Sequence, residues 1–188
     1  MDAPGPNPFR KRGLVATLLV FFCALCNFSA ADEELSSAER RAATVSEVVT
    51  GILSYARWPV DLPQLRLCVV GPTEYADDLL SGAKQSAGRP VVVRRLLVND
   101  PQLPAECDAL YIGVFTANER SKVFADLTGR AVLSISEQPD QCTVGSAFCL
   151  QVSDTQVGFE INLDSVARSG VRVHPNVLQL SRQRTSIP

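Results

Sequence analysis

The chain has one histidine, one methionine and one tryptophan in 188 residues. Lysine is nearly missing beyond residue 31, where only Lys84 and Lys122 occur. Residues 32–188 carry 15 Lys and Arg against 19 Asp and Glu, a net charge of −4. No basic patch is dense enough to grip a phosphate backbone, so nucleic acid is excluded as an expected partner. The lone His174 cannot build an ordinary zinc site, and nothing selects one Ser-His-Asp set among the many serines and aspartates. G-x-S-x-G, G-x-G-x-x-G, phosphate-loop and H-E-x-x-H patterns are all missing. The expectation is therefore a protein that is not an enzyme, with no cofactor and no metal. Long apolar runs are scarce too. The longest, residues 13–26, is 14 residues, short of the roughly 20 that span a bilayer.

That run is nonetheless informative. Arg10, Lys11 and Arg12 precede it, Asn27 interrupts it, and Ser29-Ala30-Ala31 supply small residues just beyond. A basic start, a short apolar middle and a small-residue exit make a secretory signal over residues 1–31, with cleavage expected before Asp32. Cys23-Ala24-Leu25-Cys26 has redox-motif spacing but lies inside the segment expected to be removed. The large Phe22 and Leu25 before these cysteines also argue against a lipoprotein site. The remaining 157 residues, 32–188, form one ordinary domain with no integral membrane segment, located in the periplasm.

Ser36 and Glu39 have capping-box spacing, and Val45, Val48, Val49, Ile52, Leu53 and Ala56 then recur every three or four residues. An amphipathic helix follows, expected to run to Trp58, where Pro59 stops it. Strands are expected at 64–71, 90–98, 109–115 and 130–136, with helices at 73–87 and 117–127 and a proline-punctuated loop at 99–106. Two further strands, 147–152 and 157–163, are separated by a turn of hairpin length, and short helices follow at 164–169 and 175–183. The fold class is α/β: a single domain with a six-stranded, largely parallel or mixed sheet flanked by helices, and an antiparallel hairpin at one edge.

Four cysteines remain after export, Cys68, Cys107, Cys142 and Cys149. An even count in an oxidising compartment predicts two bridges, for which three pairings are possible. Cys142 and Cys149 flank one loop, and neighbouring strands would bring Cys68 to Cys107, so this pairing is favoured. The 8-residue and 40-residue loops would contribute about 2.5 and about 4 kcal/mol on a chain-entropy account. The favoured reading is that both bridges are plain structural staples; the functional alternative is that the short bridge, expected to be the more exposed, can be reduced and so loosen the hairpin edge.

Two groups of side chains are candidates for binding. In V-R-V-H, alternation places Arg172 and His174 on one face. With Arg57 and Trp58 they would form a pocket for a carboxylate, phosphate or aromatic ligand, as in a small-ligand receptor. In V-G-F-E-I-N-L, Glu160 and Asn162 face outward on an edge strand with Phe148 across the hairpin, a plausible docking surface. An exported hydrolase using His174 is the more distant alternative.

Residues 49–59 (V-T-G-I-L-S-Y-A-R-W-P), 67–71 (L-C-V-V-G), 106–113 (E-C-D-A-L-Y-I-G), 142–150 (C-T-V-G-S-A-F-C-L) and 159–180 (F-E-I-N-L-D-S-V-A-R-S-G-V-R-V-H-P-N-V-L-Q-L) resemble, in order, the YfiR family of the Pseudomonas type. The resemblance implies a periplasmic repressor that binds the sensor domain of a YfiN-like inner-membrane diguanylate cyclase and lowers cyclic di-GMP synthesis. It implies release through a YfiB-like outer-membrane lipoprotein that sequesters the repressor, favouring biofilm. It also implies a homodimer, the pairs Cys68–Cys107 and Cys142–Cys149, and a partner surface on Phe148, Glu160 and the helix containing Val166.

Overall fold

A computed structural model describes residue 1 and residues 36–182 and 185–187, with the backbone alone at 181, 182, 185 and 186. Backbone contacts divide the chain into Met1–Glu34 and Leu35–Pro188, and the second unit is the subject here. The expected export segment, with Cys23 and Cys26, lies outside the described residues.

Helix α1 spans Ser37–Ser54 and opens on a complete capping box. Ser36 Oγ accepts from Glu39 N at 3.2 Å while Glu39 Oε2 accepts from Ser36 N at 2.7 Å, satisfying two otherwise orphaned donors. The apolar face expected from the periodicity is buried as one stripe, Ala42, Val45, Val48, Val49, Ile52 and Leu53. The helix ends before the expected Trp58. Ala56–Arg57 form strand β1, paired antiparallel with a strand at Arg172–Val173, and this tertiary pairing claims the backbone ahead of Pro59.

The main sheet comprises β2 (Leu65–Val70), β3 (Lys84–Ser86), β4 (Arg89–Leu96), β5 (Ala109–Ile112), β6 (Leu133–Ser136), β7 (Phe148–Val152), β8 (Gln156–Ile161) and β10 (Thr185–Ser186), the Arg172–Val173 strand being β9. Its order is β10-β8-β7-β6-β5-β2-β4-β3. The five strands from β4 through β7 run parallel, and the antiparallel strands β3, β8 and β10 finish the two edges. The expected hairpin is β7–β8, but β10 pairs with its outer strand at Gln156 and Val157 and takes the edge position there.

Residues 73–87 depart from the expected helix. Only Asp77–Leu80 is helical, as the single turn α2, and β3 folds back onto β4. Ala87 (φ 51°) and Gly88 (φ 76°) both lie in the left-handed region between the paired Ser86 and Arg89. That is the two-residue turn whose twist matches a hairpin. The apolar spacing of Tyr75, Leu79 and Leu80 imitated a helix, while Gly82 and Gly88 broke it.

The remaining helices are α3 (Leu103–Glu106), α4 (Ala117–Asp126), α5 (Leu163–Arg168) and α6 (Val177–Arg182), with a 3₁₀ segment at Pro139–Val144. The sheet is covered on both faces. Alternation along β2 sends Leu65, Leu67 and Val69 to the layer under α1, with Tyr111, Ile135, Phe148 and Leu150. Cys68 and Val70 go to the other layer, with Leu110, Ile112, Phe115, Val123 and Leu127 under α4. Burial on both faces is why these strands read as near-continuous apolar runs. Each fully buried side chain of this size stabilises by about 1.5–3 kcal/mol.

Candidate functional site

Both disulfides sit within this framework. Cys68–Cys107 lies in the α4 layer, and Cys142–Cys149 ties the 3₁₀ segment to β7; each has its Cα atoms 5.7 Å apart. The expected difference in exposure is small, since Cys149 is 0 % and Cys142 8 % exposed. All four of these cysteines are buried, so neither bridge presents sulfur freely to solvent.

The β1–β9 ribbon brings three of the four expected ligand-binding residues together. Arg57 and Arg172 are direct cross-strand partners, and His174 follows, its backbone N–H donating to Tyr55 O at 2.9 Å. They line a cleft of about 580 Å³ with Tyr55, Val173 and Pro175. Arg57 Nη1 donates to Ser54 O at 2.7 Å and Ala56 O at 2.8 Å, placing its charge at the negative C-terminal end of α1. His174 Nδ1 accepts from Asn176 N at 3.1 Å. No carboxylate pairs with Arg57 or Arg172 among the described residues. Two like charges directly opposite each other repel, and an anion in the cleft would relieve that. Trp58 does not join them. Its Nε1–H donates to Asp108 O at 3.0 Å and its ring packs on the core, because the extended backbone after α1 turns it to the opposite side.

The expected docking group separates as well. Cross-strand partners share a face, and Phe148 pairs with Ile161 while Cys149 pairs with Glu160. Phe148 therefore points into the core, 0 % exposed, with its ring edge-on to Phe159 at a centroid distance of 5.6 Å. It supports the surface from beneath and is no part of it. Glu160 is exposed and accepts from Gln151 Nε2 at 2.6 Å. Val166 is half-buried on α5, and Leu163, at the start of that helix, is 75 % exposed.

The carboxyl ends of the parallel strands hold a third group that sequence patterning missed. In open α/β sheets ligands enter where the chain reverses direction across the sheet, here between β2 and β5. That crevice is filled by backbone. Val114 N donates to Pro72 O at 2.8 Å, and a Cβ on Gly113 would stand 1.8 Å from the same oxygen. Glu137, buried at the end of β6, accepts from Glu74 N (2.9 Å), Tyr75 N (2.8 Å) and the Tyr111 hydroxyl (2.8 Å). Burial, then the adjacent carboxylate, pushes the Tyr111 hydroxyl well above the usual phenol range, so it stays a donor. At the opposite, amino end of the same strands, Asp108 accepts from Arg66 N, Nε and Nη2 at 2.7–3.1 Å, and this pairing raises the Arg66 guanidinium further. The one signal in the sequence was an acidic residue directly abutting an apolar strand, L-S-I-S-E.

These groups clamp backbone to backbone. No three His, Cys, Asp or Glu side chains gather as metal ligands among the described residues, and no described helix is long and apolar enough to cross a membrane. The family model described as YfiR/HmsC-like matches residues 42–182. The match runs from the first buried turn of α1 to the end of α6, across both disulfides and the parallel sheet. This chain belongs to the YfiR/HmsC-like family, whose members are regulators of cyclic di-GMP signalling rather than enzymes.

Proposed function

We propose that the protein is a periplasmic negative regulator that binds the sensor domain of a YfiN-like inner-membrane diguanylate cyclase and lowers its output. A YfiB-like outer-membrane lipoprotein relieves the repression by sequestering it, and the working form is a homodimer. The family match over the whole folded domain carries this reading. Two internal disulfides suit an oxidising compartment. Docking falls on the exposed side of β8 and α5, with Glu160, Leu163 and the edge of Val166 as the contact residues and Phe148 as their support. No chemistry is required of the repressor. Preferring one state of the sensor a hundredfold, about 2.7 kcal/mol, shifts the cyclase a hundredfold. Deleting the gene should raise cellular cyclic di-GMP, and the tagged protein should recover the cyclase from solubilised inner membrane. Unchanged cyclic di-GMP after deletion would end the proposal.

The Arg57–Arg172–His174 cleft favours a second reading, a receptor for a small anion carrying an aromatic or apolar group. Titration calorimetry with aromatic carboxylates and phosphates tests it, with Arg172→Ala as the control expected to abolish the heat.

A further inference from the structure

Asn162 commits all four of its polar groups to joining separate elements. Its backbone N–H donates to Ala147 O at 2.9 Å, extending the β7–β8 ladder, and its carbonyl accepts from Val166 N at 3.0 Å. Its side-chain Oδ1 accepts from Ser165 N at 2.9 Å, capping α5. Its Nδ2–H donates to Cys142 O at 2.5 Å. One carboxamide therefore links the loop closed by Cys142–Cys149 to the first turn of the helix that carries Leu163 and Val166. The same bridge lies beside Glu160, since Cys149 is its cross-strand partner and Cys142 Sγ is 3.8 Å from its carbonyl oxygen.

The chemistry of the side chain matters here. A helix of six residues has no stability of its own, so its cap and its packing decide where it sits. Asparagine offers an acceptor for the cap and, on the same group, a donor for the loop. Aspartate would keep the cap and turn an oxygen toward the Cys142 carbonyl. Serine would also keep the cap, with a hydroxyl too short to reach the loop. Both substitutions cut the link and leave the helix start intact.

We propose that Asn162 is the positioning residue of the docking face, transmitting the placement of the disulfide loop to α5. The inference rests on the reading of β8 and α5 as the partner surface. Without the carboxamide donor, the loop and the helix move independently and the face is no longer held in one arrangement.

The test is a double-mutant cycle on the full exported protein, read by amide hydrogen exchange of residues 165–168. Replacing the bridge (Cys142→Ser with Cys149→Ser) should speed that exchange about fivefold, the worth of roughly one hydrogen bond. In Asn162→Asp and Asn162→Ser backgrounds the same replacement should change it less than twofold. An equal rise in every background overturns the proposal. Should the bridge-free protein fail to fold, Asn162→Asp with the bridge intact must show faster exchange both at 142–145 and, about fivefold, at 165–168, and unchanged exchange at either segment overturns it. In parallel, both single variants should bind the purified cyclase sensor domain about fivefold more weakly than wild type, and unaltered affinity also overturns it. Wild-type protein that fails to bind that domain would sink the partner reading instead, and the exchange cycle separates the two failures.

Discussion

The hydroxyl of Tyr111 donates to the carboxylate of Glu137 across 2.8 Å, and both side chains are shut away from water. The pair connects β5 to β6 and, through the other two donors on Glu137, holds the loop that leaves β2. Tyr111→Phe should cost about 1–3 kcal/mol, because it leaves a buried carboxylate one donor short. The phenol is held protonated in the folded state and ionises near pH 10 when unfolded. Above about pH 10 the unfolded chain binds fewer protons, so stability falls as pH rises. Denaturant midpoints measured from pH 8 to 11 should show this alkaline decline in wild type and a shallower one in Tyr111→Phe.

Gly113 allows the loops after β2 and β5 to touch, and a methyl group there would meet the Pro72 carbonyl at 1.8 Å. Gly113→Ala should lower the urea midpoint by the equivalent of about 1–3 kcal/mol through forced backbone movement. A midpoint equal to wild type would show that the crevice has slack.

Ala87 holds a left-handed conformation (φ 51°) that suits glycine or asparagine better. Ala87→Gly should stabilise the protein by about 0.5–1 kcal/mol, and Ala87→Val should destabilise it. Melting temperatures of the two variants should fall on opposite sides of wild type.

The two bridges should contribute unequally. Replacing Cys68 and Cys107 should cost about 4 kcal/mol and replacing Cys142 and Cys149 about 2.5 kcal/mol, following loop length. Because all four cysteines are buried, mild reductant should release few thiols from the native protein and four per domain after unfolding in urea. Rapid thiol release without denaturant would show that one bridge opens locally.

Around the docking face, packing and recognition should separate. Phe148→Ala should cost about 3–5 kcal/mol and act through folding. Leu163→Asp, at a residue 75 % exposed, should leave stability within about 0.5 kcal/mol while weakening cyclase binding at least tenfold. Circular dichroism melts and pull-down of the sensor domain read the two effects independently.

Much of this fold is legible in the residues. The Ser36–Glu39 box, the apolar stripe of α1, the buried strands and the even cysteine count all follow from local rules: spacing, capping and alternation act over a few neighbours. The failures lie where a distant segment overrode a local preference. Ala56 and Arg57 read as helix until Arg172 and Val173 claimed their backbone, and residues 84–86 read as helix until β4 offered an edge. Trp58 turned away from Arg57 for the same reason.

Face assignments behaved likewise. Alternation along β8 correctly set Glu160 outward, but whether Phe148 joined it depended on the register of β7 against β8, which pairing across the sheet sets. Glu137 and Asp108 carry no periodic signal at all, and alternation set Asn162 outward where its carboxamide instead joins the first turn of α5 to the Cys142 carbonyl. A buried polar group is recognised by the donors that converge on it, and those donors come from residues far apart in the chain that meet only when the sheet closes.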